Sequence, residues 1–131
     1  MNGRYSQGVI DVVAFWAARL VPGWRVNLVD ERPGDDCHYA AVSWGDSNFA
    51  LDIWLSDEAM MEPWTELTAT IIHELLHPLF RELRQGFMPE PGDPAREAWV
   101  HQEELIVERI STAVGYMDSK PEAFVGPFTP A

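Results

Sequence analysis

Residues 64–84 read WTELTATIIHELLHPLFRELR, and this stretch predicts the helix around which the fold is built. Its apolar residues recur at the spacing of a helix face packed on a core, at Leu67, Ile71, Ile72, Leu75, Leu76, Leu79 and Phe80. Pro78 lacks the amide hydrogen that would bond the preceding turn, and it disfavours helical geometry at His77. We therefore expect a helix that kinks or breaks directly after His77, continues to Arg84 and ends at Gly86.

Two histidines, His73 and His77, lie four residues apart in this predicted helix, and Glu74 follows the first of them. Residues i and i+4 project from one helix face, one turn apart, so both imidazoles can converge on one cation. Glu74 then points toward a water on that cation. This HExxH arrangement predicts a zinc site in which zinc acidifies the water and Glu74 accepts its proton. The alternative is a core helix that happens to carry two histidines.

A second long helix is predicted to start at Asp93-Pro94, a capping carboxylate followed by proline at the first helical position. It should run to about Val114 and stop at Gly115. The pattern predicts an apolar side made of Val100, Val107, Ile110 and Val114. Beside that side, a polar face carries His101, Glu104, Glu108 and Ser111.

A catalytic zinc takes three protein ligands and leaves a fourth position for water. His73 and His77 supply two of them, and residues 78–83, PLFREL, contain no further histidine. The third ligand must therefore come from another segment, and the polar face of the second helix is where we expect it. The candidates there are Glu104, Glu103, His101 and Glu108.

The part of the chain before residue 64 predicts one helix and a small sheet. Ser6 is a candidate cap for a helix that runs to about Leu20. Three strands, the last two joined by a hairpin at residues 45–48, are predicted over residues 24–30, 38–44 and 49–55. We expect a mostly antiparallel sheet whose third strand has an edge that can hydrogen-bond an extended peptide. Residues 56–63 are expected to be a connecting loop.

Composition limits the classes of protein and partner. With 131 residues, 47% of them hydrophobic, the chain can bury one core, so we expect one domain over residues 1–119 and an extended tail over residues 120–131. The net charge of −12 disfavours binding to nucleic acid or to an anionic membrane. The single cysteine, Cys37, allows no intrachain disulfide and leaves nitrogen and oxygen ligands for zinc. Residues 9–21 are too short to span a bilayer. We expect a cytoplasmic monomer.

The motifs together resemble the gluzincin group of zinc metallopeptidases, in which HExxH is followed by a downstream helix with ExxxD or ExxxE. In that group the first acid binds zinc and the second hydrogen-bonds a zinc-binding histidine. Residues 104–108, ELIVE, match this pattern, so the resemblance implies Glu104 as the ligand and Glu108 as the partner of His73. It also implies an α+β, zincin-like fold with an N-terminal helix, a three-stranded sheet, the HExxH helix and a C-terminal helix that bears the glutamate.

The resemblance implies a function as well. The chain is similar to minimal gluzincin domains and to small HExxH proteins encoded by phages, which would place it in a host cytoplasm. We expect a zinc metallopeptidase that acts on a peptide or protein, with Glu74 as general base. The alternative is a catalytically weak or inactive zinc-binding interaction or regulatory protein, since no clear equivalent is found of the oxyanion-stabilising Tyr and His. Candidates to assist there are His101, His38, Tyr39 and Tyr116.

Overall fold

The structure is a computed structural model that describes residues 3–34 and 38–119, with side chains as far as Val114. This part of the chain forms five α-helices, one 3₁₀ helix and three strands. In chain order the elements are α1 (Gln7–Leu20), β1 (Arg25–Leu28), β2 (Ala40–Trp44), β3 (Ala50–Leu55), α2 (Asp57–Met60), α3 (Trp64–Leu76), the 3₁₀ helix (His77–Phe80), α4 (Arg81–Phe87) and α5 (Pro94–Ser119). The fold is therefore α+β. Within these residues no helix is long and apolar enough to cross a membrane. The predicted tail lies outside the described residues.

The sheet is mixed, with strand order β1-β3-β2. β2 and β3 pair in the predicted antiparallel hairpin, with Ala40 opposite Leu55, whereas β1 pairs with β3 in parallel, with Arg25 opposite Ala50. The expectation of a mostly antiparallel sheet is therefore wrong for one of the two pairings. β3 takes the central place because it is the most deeply buried strand, and Leu51, Ile53 and Leu55 are at most 1% exposed.

This strand order places β3 inside the sheet and not at the edge predicted for the third strand. β3 is paired on both sides, so the prediction that the third strand offers an edge to a peptide is wrong. β2 lies at the edge of the sheet, and its outer side pairs with no strand in the described part of the chain. β1 is the other edge strand of the sheet, and β2, residues 40–44, is the edge that contacts α3.

α3 is the central helix of the fold and contacts α1, α2, α5 and β2. Its buried positions, including Leu67, Ile71, Ile72 and Leu75, are the predicted apolar face and are at most 2% exposed. α1 covers one side of α3, and its cap is as predicted, because the Val9 amide donates to Ser6 Oγ at 3.2 Å. Burial of the α3 face on both the sheet and α1 fixes where His73 and His77 point.

The helix type changes next to Pro78. α3 ends at Leu76 and the chain tightens into the 3₁₀ helix that starts at His77, so the change comes one residue before the predicted kink or break after His77. His77 itself keeps helical dihedral angles, φ −56° and ψ −43°, contrary to the expectation from the following proline. α4 continues through Gly86 to Phe87, one residue beyond the predicted end.

α5 differs from its prediction in length and in its buried face. Asp93 caps it as expected, since the Ala95 amide donates to Asp93 Oδ1 at 2.9 Å, but the helix continues through Gly115 to Ser119. One glycine weakens a helix by only about 1 kcal/mol and need not end it. Val100 and Ile110 are exposed, whereas the side that packs against α3 carries the buried residues Glu103, Val107 and Ser111. The predicted apolar side is therefore wrong at two of its four positions.

The predicted loop over residues 56–63 contains the short helix α2. Ser56 caps it, because the Ala59 amide donates to Ser56 Oγ at 3.0 Å, and Ala59 is fully buried. Helix α2 therefore shortens the connection from β3 to α3 and packs part of it on the core.

Arg81 ties the β2–β3 hairpin to α4. Its guanidinium donates to the carbonyl oxygens of Gly45 and Asn48, and it lies 4.8 Å from the ring centres of both Trp24 and Phe49. Arg81 is only 5% exposed, so these hydrogen bonds form in a region that water hardly reaches. Arg81 thus fixes the position of β2 relative to the helices that follow α3.

We predict that Arg81→Ala lowers the free energy of unfolding by about 2–4 kcal/mol, because charged hydrogen bonds and two cation–π contacts are lost together. Urea unfolding measures the change. Arg19→Ala is the matched control: Arg19 is an exposed arginine that also donates to a carbonyl and stacks on a phenyl ring. It should change stability by less than about 0.5 kcal/mol. Equal effects of the two substitutions would contradict the role assigned to Arg81.

Candidate metal centre

The last turn of α3 and the middle of α5 bring three candidate ligands together. His73 Nε2 and His77 Nε2 are 3.3 Å apart. Glu104 of α5 reaches both, with Oε2 3.3 Å from His73 Nε2 and Oε1 2.8 Å from His77 Nε2. Of the four candidates for the third ligand, Glu104 is the one whose carboxylate faces both imidazoles, and one donor atom of each residue lies within 4.8 Å of the others.

These separations suit one zinc ion. Four ligands at tetrahedral angles and at zinc–nitrogen or zinc–oxygen distances of about 2.0–2.1 Å lie about 3.3–3.4 Å from one another. The His73–His77 distance and the His73–Glu104 distance are both 3.3 Å. Only the 2.8 Å contact between His77 and Glu104 is shorter, and it requires a small outward movement of a half-exposed carboxylate. The donor set, two imidazoles and one carboxylate, is one that catalytic zinc uses.

A carboxylate lies behind each imidazole. His73 Nδ1 is 2.9 Å from Glu108 Oε2, and His77 Nδ1 is 2.7 Å from Glu103 Oε2. Nδ1–H donates to the carboxylate in each case, so the lone pair of each Nε2 is directed toward the other imidazole and toward Glu104. Lone pairs and a negative charge at such short distances repel one another unless a proton or a cation lies between them. With these tautomers, a proton or a cation between the three groups would relieve the repulsion.

Glu103 lies behind His77, on the Nδ1 side of its ring. Its side chain is 3% exposed, and Arg84 donates to both of its oxygens, with Nε 2.8 Å from Oε1. Burial acts to raise the pKa of Glu103, but the hydrogen bonds from His77 and Arg84 outweigh it and lower the pKa to about 2. Glu103 is thus an ionised partner of His77, and its carboxylate does not face the three-residue cluster.

Sequence patterns pointed to Glu103 only as an alternative ligand, and the roles of Glu103 and Arg84 behind His77 were missed. A signal was present, because Glu103, Val107 and Ser111 follow one another at intervals of four, and a glutamate on the buried face of a helix requires a partner. Val100 and Ile110 are apolar but exposed, and their spacing led the sequence pattern to predict the wrong buried face for α5.

Two further ionisable groups are perturbed at the centre. Burial raises the pKa of Glu74, although the nearby charges of His77 and His73 oppose the change. Burial alone would lower the pKa of His77, but the hydrogen bond to Glu103 and the charges of Glu104 and Glu74 outweigh it, and the net shift of this pKa is upward. A carboxyl group with a raised pKa beside two imidazoles is suited to accept and return a proton.

The candidate centre opens into a cleft of about 950 Å³. One wall is the edge strand β2, with all of residues 40–44. His73, Glu74, His77 and Glu104 line it as well, together with side chains of α4, residues 88–90 and Arg96. The strand edge and the three candidate ligands therefore share one open space.

The four candidates to assist at an oxyanion lie in different places. Tyr39 lines a smaller pocket of about 230 Å³ together with His73, Glu74 and Glu108. Burial raises the pKa of Tyr39, and so do the charge and the hydrogen bond of Glu62, so this phenol remains a neutral donor. His101 lines a separate pocket beside Glu104. His38 contacts Arg32 at 3.4 Å, and the side chain of Tyr116 lies outside the described part of the structure.

We predict that the wild-type chain binds one zinc ion and that His73→Ala, His77→Ala and Glu104→Ala each weaken binding by at least about 100-fold, because each removes a donor from a three-ligand site. Competition with a chromophoric chelator measures the affinity. His101→Ala is the control and should keep the wild-type value. Unchanged affinity in Glu104→Ala would exclude Glu104 from the ligand set.

We also predict that Glu103→Ala weakens zinc binding by about 10–100-fold without removing a ligand, because His77 loses the acceptor that fixes its tautomer. Glu103→Gln keeps an acceptor oxygen and should restore part of the affinity. The exposed neighbour Gln102→Ala is the control. An affinity of Glu103→Ala equal to that of this control would contradict the role of Glu103.

Comparisons with known proteins give no relative for this chain. No protein-family model, no curated protein and no solved structure matches it.

Proposed function

We propose that this chain is a zinc-dependent metallopeptidase of the gluzincin type, with a ligand set of His73, His77 and Glu104. The observation that carries the proposal is the convergence of both Nε2 atoms on the Glu104 carboxylate, beside Glu74 and within the cleft that β2 borders. Zinc bound there would lower the pKa of a water and polarise a carbonyl group. The proton transfer, the orientation of the imidazoles and the binding of substrate are assigned to residues of the chain.

Glu74 is the proposed general base. Its carboxylate is partly buried, and its raised pKa brings it nearer to the range in which a group can both accept and release a proton. A carboxylate oxygen of Glu74 accepts the proton of the attacking water and then delivers it to the leaving amine. Glu103 and Glu108 hold the two imidazoles in one tautomer while this happens.

An extended peptide fits the cleft by its backbone. Within residues 3–34 and 38–119, the outer edge of β2 pairs with no other strand, and residues 40–44 line the cleft together with His73 and Glu74. A substrate that pairs with β2 as a further strand would lie along the cleft with its carbonyl groups near the candidate centre. β2 thus takes the role that the sequence pattern gave to the third strand.

A second candidate function is zinc binding without efficient hydrolysis, in an interaction or regulatory protein. The observation that favours it is at Tyr39, the oxyanion candidate that shares a pocket with Glu74. The residue is 38% exposed, and among the described residues its hydroxyl forms no hydrogen bond to His73, Glu74 or Glu108. A phenol that is not held in place beside these groups is poorly prepared to stabilise an oxyanion.

We predict that Glu74→Gln abolishes proteolysis, with a loss of about 10²–10⁴-fold, because the amide cannot accept the proton. Zinc content should remain at the wild-type value. Cleavage of casein or of a quenched peptide library, with and without a chelator, measures activity. Glu66→Gln, at an exposed position in the first turn of α3, is the matched control.

The outcomes separate the two candidate functions. Proteolysis that the chelator stops and that Glu74→Gln lacks supports the peptidase. A wild-type chain that binds zinc and cleaves nothing supports the second candidate, and full activity in Glu74→Gln would refute the role assigned to Glu74.

A further inference from the structure

The cleft is rich in arginine for so acidic a chain. Three of the nine lysine and arginine residues line it, Arg81, Arg84 and Arg96, although the formal net charge is −12. Carboxylates line it as well, at Asp46, Glu74, Glu90 and Glu104. The contacts of each arginine therefore decide whether the cleft can accept a negative group.

Two of the three arginines are committed within the fold. Arg81 pairs with Glu82 at 2.7 Å and bonds the hairpin carbonyls. Arg84 pairs with both oxygens of buried Glu103 and lies 4.9 Å from the ring centre of Trp44. Each of the two already pairs with a carboxylate, which offsets its charge within the fold.

Arg96 differs from both. It lies in the first turns of α5, is partly buried, and donates through Nη1 to the Pro89 carbonyl at 2.8 Å. That bond holds its guanidinium at the end of the cleft formed by residues 88–90. No carboxylate lies within ion-pair distance of it among the residues that the structure covers. Arginine has five N–H donors, so most of those of Arg96 remain for a ligand.

We propose that Arg96 forms a subsite for a single carboxylate of the bound peptide, either an acidic side chain or the terminal carboxylate. The proposal rests on the proposed function, since it names the substrate class of the same cleft. A planar guanidinium binds a carboxylate through two parallel hydrogen bonds, which fix its position as well as its charge.

The carboxylates of the cleft restrict the preference for an acidic group to one position of the peptide. Asp46, Glu74, Glu90 and Glu104 repel a carboxylate placed elsewhere along the cleft. The peptide should therefore carry one acidic group at one position relative to the scissile bond, with neutral or basic residues at the others. A generally acidic peptide is not the expected ligand.

A binding experiment tests this without cleavage. Zinc-loaded Glu74→Gln protein is incubated with positional-scanning peptide libraries that contain Glu or Gln at each position, with either a free or an amidated C-terminus. We expect about tenfold enrichment of Glu at one position, or of the free C-terminus, and the two library types distinguish these sources. Adding Arg96→Gln should remove the enrichment, whereas adding Arg19→Gln, at an exposed arginine of α1, should not.

A charge reversal gives the second readout. In the Glu74→Gln background, Arg96→Glu should change the preference at the same position from Glu to Lys or Arg, which a damaged fold could not produce. Absence of any acidic enrichment, or enrichment that persists in Arg96→Gln, would overturn the proposal.

Peptide cleavage by the wild-type chain tests the proposed function separately from the Arg96 subsite. If it cleaves peptides with no preference for a carboxylate, the proposed function stands and the Arg96 subsite is refuted. If it cleaves nothing while Glu74→Gln still selects the carboxylate through Arg96, the subsite stands and the peptidase is refuted.

Discussion

Paired ionisable side chains form part of the contact between α3 and α5, and the candidate site depends on them. Among the described side chains of α5, Val107 is the fully buried apolar one, whereas Glu103, Glu104 and Glu108 contact the two histidines of α3. Paired charges stabilise an interface less than apolar packing does, because each must lose its water. A cation bound between these groups would add the attraction that the interface lacks, so metal binding and the docking of α5 are expected to be coupled.

The local parts of this arrangement could be predicted from the sequence. The i and i+4 spacing of His73 and His77, and of Glu104 and Glu108, fixes which side chains share a helix face before any tertiary contact is known. The caps at Ser6 and Asp93 and the change of helix type near Pro78 are local for the same reason. These features depend on residues fewer than five positions apart.

The non-local parts could not be predicted in this way. Residues 25–28 would read as the same strand whether they pair with β3 in parallel or antiparallel, because the alternation of side chains is identical in both. α5 has apolar residues on more than one side, so periodicity could not distinguish exposed Val100 and Ile110 from buried Val107. Glu103 and Arg84 meet only because α4 and α5 lie beside each other after the turn at residues 88–93.

The open edge of β2 has a consequence for the molecules that the protein can encounter. An exposed edge strand invites pairing with the sheet of any neighbouring molecule, which leads to aggregation. Here the edge lines the same cleft as side chains of α3, α4 and α5. A strand added to β2 would therefore lie beside those helices as well as beside the sheet. A free extended segment can meet both surfaces more easily than a strand that is already covered by its own domain, so the position of this edge favours unfolded segments and chain termini as partners.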